Sequence, residues 1–515
     1  MNVCLIRPAT ITTAEAVGED AAPPLGVAYL AATLLRCGHD VTVVDALGEA
    51  LDRYSSVATL PTGLRHGLTD GEVVDRIPAD TDVIGVSIMF SLEWPFTREL
   101  LLAIRRAFPA VVIVSGGEHV TALPEFSLND CSAIDYCVLG EGEQALVDLL
   151  EAIAGDHDVT GVDGLCVRVN GTPTRTVSAS RLRQLDAIPR PAWDRVPIEA
   201  YLSHGIMTGV DYGRSMPMLA SRGCPYQCTF CSNPVMWGLL WRVRSPADVV
   251  AELEDYTVRY QARNFDFYDL TAIVKRSWIV EFCTLLIERG LDITWQLPSG
   301  TRSEAIDEEV CRLLYRSGCR YVNYAPESGS EEILKRIKKR VRKPAMTASI
   351  RSALEAGLNV KCNFILGFPG EKLPHVWDTY RWIMTLAWLG AHDVSVFPFS
   401  PYPGSELFAD LIAINQIHLN DDYFYSLSQY TDPRYMRSYD GHMSARLLRM
   451  LCLTGMVIFY GISAVRFPAR ILKVARYVKD DAAKTKLAAA LIRVRRKRKQ
   501  LKARRGAAEA PVVAN

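Results

Sequence analysis

The sequence predicts an α/β chain made of two units in tandem and a helical C-terminal region. Three observations carry that reading. Short apolar runs alternate with helix-period segments over residues 1–154, the same alternation resumes at residue 218, and an uncharged apolar run at 450–465 is followed by cations. At 515 residues the chain is long enough for more than one domain.

In the first unit the pattern predicts strands over 3–6, 41–44, 83–87, 111–115 and 136–139, and helices over 25–37, 93–108 and 143–154. Alternation of this kind implies a parallel, doubly wound sheet with right-handed crossovers. Ligands of such sheets bind beyond the carboxyl ends of the strands. The loops expected there are Pro23-Pro24-Leu25-Gly26, Ser115-Gly116-Gly117-Glu118-His119 and Gly140-Glu141-Gly142-Glu143. Glycine lets a bulky ligand approach the backbone, although each loop alone is also an ordinary turn. Residues 155–205 read as a connector, with Trp193 available to anchor it on a neighbouring surface. Two units pressed together there would turn their ligand-binding ends toward each other.

The second unit opens with a predicted strand at 218–221 that runs into Gly223-Cys224-Pro225-Tyr226-Gln227-Cys228-Thr229-Phe230-Cys231. The spacing is C-x3-C-x2-C. Three thiolates on one loop suit three irons of a [4Fe–4S] cluster. No further cysteine follows before Cys283, so the fourth iron is expected to stay open to a ligand. A structural zinc site would show a second C-x2-C pair, which is missing. The remaining cysteines are scattered singly and read as small buried hydrophobes. Downstream, helices are predicted over 248–260, 278–289, 307–317, 343–356 and 374–389, and strands over 264–268, 294–297, 321–324, 359–366 and 394–399.

With Phe230 in the slot before the third cysteine, the loop resembles the C-x3-C-x-aromatic-C signature of the radical S-adenosylmethionine (SAM) superfamily. Tyr324-Ala325-Pro326-Glu327-Ser328-Gly329-Ser330 resembles its E-S-G-S segment. Asn363 to Glu371 resembles its G-x-P-G-E segment, and Pro401-Tyr402-Pro403-Gly404-Ser405-Glu406-Leu407 its closing segment. Ahead of them, Pro24 to Ala32 and the later glycine loops resemble the cobalamin-binding domain that precedes many radical SAM enzymes.

The resemblance implies a cobalamin-binding Rossmann-like sheet followed by a partial (β/α)6 barrel with its chemistry at the strands' carboxyl ends. It implies a [4Fe–4S] cluster on Cys224, Cys228 and Cys231, with SAM chelating the open iron. Glu327 would meet the SAM ammonium and Ser328 its carboxylate. Gly367 would give close backbone approach, Phe230 would pack on the adenine, and Asp269 would reach the ribose or ammonium. Relatives often carry Asp-Asp where this chain has Asp269-Leu270. Cobalamin would lie on Leu25, Gly26, Gly116, Gly117, His119, Gly140 and Glu141. The D-x-H-x2-G motif, whose histidine ligates cobalt in some cobalamin proteins, is absent. Either cobalamin binds without a histidine lower ligand, as in many relatives, or the site has lost it; binding is the expectation. His119 is left either near the ligand or bonded to backbone.

The activity so implied is reductive cleavage of SAM to a 5′-deoxyadenosyl radical and C-methylation of an unactivated carbon on a natural-product or lipid-like small molecule. The reducing electron would come from a donor such as flavodoxin or ferredoxin. Two alternatives stand beside it: an oxidative cyclase or rearrangement enzyme with the same cofactors, and a cobalamin-binding sensor or docking protein with an inactive barrel.

Lys plus Arg and Asp plus Glu both number 58, so net charge is zero and nucleic acid is not an expected partner. The start lacks a secretory pattern, and free cysteines favour a reducing cytoplasm. The run 450–465 is short of a spanning helix and reads as a buried one. A monotopic, membrane-associated helix is the alternative, given Arg466, Arg470, Lys473, Arg476 and Lys479. The expected division is a cobalamin-binding domain at 1–154, a linker at 155–205, a barrel at 206–415, a helical region at 416–491 and a basic, disordered tail at 492–515, with anionic lipid or RNA as the tail's alternative partners.

Overall fold

Two parallel sheets organise the chain, and each grows from the predicted alternation. The computed structural model describes residues 1–13, 16, 22–57, 59–60, 62–204, 209–210, 212–481, 485, 487–492 and 494–496. The expected tail at 492–515 thus lies almost entirely outside the described residues.

In the first sheet the strands run Asp40–Asp45, Asn2–Arg7, Val83–Ser87, Val112–Gly116 and Tyr136–Val138, all parallel. The order reverses between Asn2–Arg7 and Val83–Ser87, which creates the crevice where doubly wound sheets bind ligands. An antiparallel hairpin, Leu165–Val169 with Thr172–Arg175, extends the far edge. This corrects the plain connector expected over 155–205. The overlooked signal was Asn170-Gly171: both residues take positive φ, 50° and 81°, as a two-residue hairpin turn requires. A separate three-stranded antiparallel sheet, Thr10–Thr13, Gly63–His66 and Tyr54–Ser56, was not predicted either. Its strands are only three or four residues long and mostly polar.

The second sheet holds Ser215–Met218, Asn264–Phe267, Thr294–Thr301, Cys319–Glu327, Asn359–Leu366 and Asp393–Pro398 in that order, every pair parallel. It is a partial (β/α)6 barrel. Its first strand ends three residues before the predicted 221. The reason is Asp269, whose carboxylate accepts the amide hydrogens of Ala220 (3.1 Å) and Ser221 (2.5 Å) and so takes them from the ladder. Ser221–Arg222 then pairs with Arg242–Val243 in a small hairpin that brackets the cysteine loop.

The two units share their cores. One apolar cluster runs from Ile6, Val86 and Trp94 of the first unit to Ile333, Phe368 and Phe399 of the barrel. Another joins Ala28 and Leu47 to the barrel through Trp193, whose Nε1 donates to the Tyr256 hydroxyl at 3.0 Å. Chain beyond the last barrel strand straps back onto the first unit. Thr13 Oγ1 donates to Asp432 at 2.6 Å, and Arg98 pairs with Asp421 at 2.9 Å.

The apolar run at 450–465 lies in the helix Ala445–Arg466. Only 28 % of its most apolar stretch is buried, which corrects the buried helix expected. Leu448, Cys452, Gly455, Phe459 and Ser463 form its inner stripe at three- and four-residue spacing.

Candidate active site

The cysteine loop is held from several sides. The Thr229 amide donates to the carbonyl of Ile337 (3.1 Å), just past the Glu327 segment. The Thr229 carbonyl accepts from the Leu407 amide of the closing motif (2.9 Å). The Phe230 ring packs on Phe368 at 5.6 Å between centroids, which joins the loop to the residue after Gly367. Four stretches spread between Thr229 and Leu407 thus meet at the carboxyl ends of the barrel strands, as the motif order led one to expect.

Cys224, Cys228 and Cys231 are partly exposed free thiols. Burial raises all three, Cys231 to about 12, while the charges of Lys339 and Arg302 oppose the rise at Cys224 and Cys228. A polyanionic iron–sulfur cube bound to thiolates fits that setting, because two buried cations already face it. Among the described residues no three His, Cys, Asp or Glu side chains converge as ligands of one metal ion. A cube does not ask for that convergence, since each thiolate holds a different iron.

Glu327 ends the fourth barrel strand with φ at +64°, a region costly for any residue but glycine. Its carboxylate accepts from Lys339 Nζ at 2.9 Å, with both side chains under 10 % exposed. Ser328 is buried, and its hydroxyl lies 3.1 Å from the Ser330 amide and 3.4 Å from Thr379 Oγ1. Gly367 has φ of +86° and donates its amide to Glu371 at 2.5 Å. Burial raises Glu371 to about 7, and its second oxygen, Oε1, has no hydrogen-bond partner. Asp269 is fully buried and committed to the Ala220–Ser221 backbone and the Ser221 hydroxyl. Asp269 thereby shapes the strand end before the cysteines.

On the first unit, Leu25 and Gly26 open the helix Leu25–Arg36, and a methyl group on Gly26 would meet nothing within 4 Å. Gly116 ends its strand, and an added Cβ there would touch the Val138 carbonyl oxygen at 3.5 Å, an ordinary contact. Gly117 is tighter: its φ is +116° and the Ile88 carbonyl oxygen would sit 2.5 Å from an added Cβ. Gly140, at φ +72°, donates its amide to Thr121 Oγ1 at 2.9 Å. His119 is fully buried. Its ring stacks on Trp94 at 4.7 Å, meets Phe424 edge-on at 5.6 Å, and hydrogen-bonds Ser91 Oγ through Nδ1 at 2.9 Å. Burial lowers it to about 3, so it is neutral. It is a core residue whose Nδ1 meets a side-chain hydroxyl and not the backbone, while its buried Nε2 has no hydrogen-bond partner among the described residues.

Sequence reasoning missed the link between the units. Arg222, two residues before Cys224, donates to Glu141 at 3.1 Å and to Glu143 at 2.5 Å, and Arg242 donates to Glu141 at 2.7 Å. All four side chains are under 10 % exposed. Arg222 also lies over the rings of Tyr29 (5.3 Å), on the Leu25–Arg36 helix, and Trp237 (5.5 Å). Ser232, one residue after Cys231, donates to Glu118. Glu141 is thus paired with two barrel arginines. The signal was the Gly-Glu-Gly-Glu run itself: carboxylates at a tight helix start need cations once covered.

Comparison with known proteins identifies both units. The Radical SAM superfamily matches residues 218–383 and the B12 binding domain residues 12–150. An uncharacterised methyltransferase, PH0819, of Pyrococcus horikoshii is 29 % identical over 418 residues, 81 % of this chain and 84 % of that one. The cytidylyl-2-hydroxyethylphosphonate methyltransferase of Streptomyces wedmorensis is 30 % identical over 420 residues, 76 % of this chain and 78 % of that one. The anaerobic magnesium-protoporphyrin IX monomethyl ester cyclase of Synechocystis is 28 % identical over 69 % of this chain and 66 % of its own length. Among solved structures, the cobalamin-dependent enzyme OxsB superposes with a TM-score of 0.66 at 14 % identity, covering 99 % of this chain and 80 % of that one. TsrM of Kitasatospora setae superposes at 0.63 and 19 %, covering 80 % and 78 %; at such identities these two speak for the fold. The chain belongs to the cobalamin-binding radical SAM enzymes, whose cofactors are a [4Fe–4S] cluster, SAM and cobalamin.

Proposed function

We propose that this enzyme methylates a carbon of a small-molecule substrate held between its two units. The observation that carries the proposal is the buried Arg222–Glu141–Glu143–Arg242 cluster, which fixes the loop after the fifth strand of the first sheet against the residue that leads into the cysteines. Methyl transfer between two cofactors needs their loops held in one geometry around one substrate. The methyltransferase names of the two relatives matched over most of their length support the same reading.

When bound, the cluster and SAM supply one-electron reductive chemistry and cobalamin supplies the methyl group. Cys224, Cys228 and Cys231 are the proposed cluster ligands. Lys339 and Arg302 offset the charge of the thiolates and hold the loop's electrostatics steady. Glu327, pinned by Lys339 in its strained conformation, offers a fixed carboxylate beside the loop for an ammonium group. Phe230 and Phe368 wall off water from one side. Gly26 leaves the start of the first helix open to a large corrin ring, and Gly116, Gly117 and Gly140 form the strand end and turns beside it.

A second reading, oxidative cyclisation with no carbon gained, is favoured by the cyclase relatives. The test is anaerobic reconstitution with iron, sulfide and cobalamin, followed by metabolite comparison between cells with and without the gene. A product heavier by one CH2, formed with 5′-deoxyadenosine, supports methyl transfer. A cyclised product of unchanged carbon count overturns it in favour of the second reading. Absence of 5′-deoxyadenosine with SAM and a strong reductant overturns both.

A further inference from the structure

The helix Ala445–Arg466 passes the length and apolarity test for a membrane span, with a mean hydropathy of 1.8, yet one side of it is fixed to the barrel. Gly455 sits against Val396, Tyr380 and Ile383, and the Tyr380 hydroxyl donates to the Leu451 carbonyl at 2.6 Å. A helix bound along one flank to a soluble barrel cannot pass through a bilayer. Its other flank is open: Met450, Leu453, Val457 and Val465 are exposed, Val457 to 70 % and Val465 to 82 %. They recur at three-, four- and eight-residue steps and so form one stripe. A core helix would cover such a stripe, and burying it would gain about 25 cal/mol per Å2.

The neighbouring surface has the same character. The helix Leu373–Leu389, which packs along this one, exposes Trp377 and Trp388, the latter to 62 %. The following helix, Pro468–Lys479, exposes Leu472 to 73 %. Tryptophan is the residue that settles where apolar and polar phases meet. Cations dominate the rim: Arg466, Arg470, Lys473, Arg476 and Lys479 fall within a segment, 466–479, that contains neither Asp nor Glu, against Asp378 beside Trp377 and Asp480 and Asp481 past the helix end. The Arg466 guanidinium lies 5.4 Å over the Trp388 ring, and that of Arg470 lies 4.2 Å over Phe467. A basic rim would be out of place around an ordinary apolar dimer contact, because two copies would repel. It is complementary to a negatively charged lipid surface.

We propose that this three-helix face docks the enzyme flat on an anionic phospholipid bilayer, with the exposed stripe and the two tryptophans in the interface and the cations over the headgroups. The proposal is independent of which reaction the barrel performs.

The test uses the full-length protein and vesicles of phosphatidylcholine, alone or mixed with phosphatidylglycerol. Co-sedimentation is expected to favour the mixed vesicles by about tenfold or more, and Lys473→Glu with Arg476→Glu is expected to abolish that preference. Val457→Asp with Val465→Asp is expected to lower binding to both vesicle types by about tenfold or more. Brominated acyl chains are expected to quench tryptophan emission of the unaltered protein, and Trp377→Phe with Trp388→Phe to remove the quenching, a readout that does not depend on the charged variants folding. Binding that is equal on both vesicle types, or emission that brominated lipid leaves unchanged, overturns the proposal. So does a stable dimer in lipid-free buffer that Val457→Asp dissociates, which would make the face a contact between copies.

Discussion

Arg222 Nη2 lies 2.5 Å from Glu143 Oε1, and that ion pair crosses from the barrel residue two before Cys224 to the first turn of a helix on the cobalamin-binding sheet. Burial pushes the Glu143 carboxyl up, but Arg222 outweighs it and holds the group below its ordinary value. Arg222→Met would leave Glu141 short of one cation and Glu143 with none, both buried. Breaking such a pair costs about 3–5 kcal/mol, so denaturant unfolding of the apo-protein is expected to show a loss of that size. Because Glu143 is depressed in the folded state, its share of stability is present above the usual carboxylate range and drains away as pH falls through and below it. Glu143→Gln is expected to flatten that acid limb, and an unchanged acid limb would show that the pair does not join the units.

Glu371 titrates in the opposite sense. Burial raises it from 4.5 to about 7, with the neighbouring Asp440 adding to the rise, Arg336 opposing it, and the Gly367 amide bonding only one of its two oxygens. Between those values the folded chain holds a proton that the unfolded chain has released, so stability falls as pH climbs. The span amounts to about 3 kcal/mol. Glu371→Gln keeps the shape and removes the titration. Its unfolding free energy is expected to lose that decline between the two pKa values, and a variant that still shows it would move the effect to another group.

The glycines of the first sheet separate into two kinds. Gly117→Ala places a methyl group 2.5 Å from the Ile88 carbonyl oxygen at a φ of +116°, so the backbone itself must shift. A loss of several kcal/mol, about 2 or more, is expected in thermal or denaturant unfolding. Gly26→Ala adds its methyl to open space in the first turn of a helix, where alanine is favoured over glycine by about 0.5–1 kcal/mol. The apo-protein is therefore expected to hold or gain stability. If the corrin ring approaches there, cobalamin affinity measured by equilibrium dialysis drops at the same time. Unchanged affinity would remove Gly26 from the cofactor surface.

Much of this could be read from the residues, and the failures share a cause. Strand and helix alternation is a local pattern, so both parallel sheets and the barrel's six strands were legible. The cysteine spacing and the glycine loops are local as well. What the sequence hid is contact between distant segments. Nothing near Glu141 says that its partner is Arg242, and nothing near His119 says that Trp94 and Phe424 enclose it. Glu327 was found, yet its Lys339 partner was not, although only 12 residues separate them, because the chain between them turns through a helix before returning. The long apolar helix was misread for a related reason: composition reports how much of a helix is apolar, whereas the fold decides how much of it has a neighbour.

Lys339 and Cys228 give the sharpest contrast between structure and chemistry. Cys228→Ala removes a proposed iron ligand from a loop whose backbone is tied elsewhere, through Thr229 to Ile337 and Leu407. The fold is expected to survive, with iron and sulfide content falling sharply after reconstitution and cobalamin absorbance retained. Loss of both cofactors together would mean that they do not occupy separate units. Lys339→Met instead leaves Glu327 buried without its cation, at a cost of about 3–5 kcal/mol in unfolding experiments.

The surroundings of His119 carry a prediction about cobalt ligation. Its ring is walled by Trp94 and Phe424 and its Nδ1 is engaged with Ser91. His119→Leu is expected to leave the absorption spectrum of bound cobalamin unchanged, since no cobalt bond is lost. A shifted spectrum would restore the histidine to the lower face. The same variant carries a second signature. Burial depresses the ring from 6.5 to about 3, so at pH 5 the unfolded chain has bound a proton that the folded chain refuses. Stability is therefore lost as pH falls below 6.5, by about 2 kcal/mol at pH 5. Leucine cannot take that proton, and the gap between variant and parent in unfolding free energy is expected to move in the variant's favour by that amount between neutral pH and pH 5.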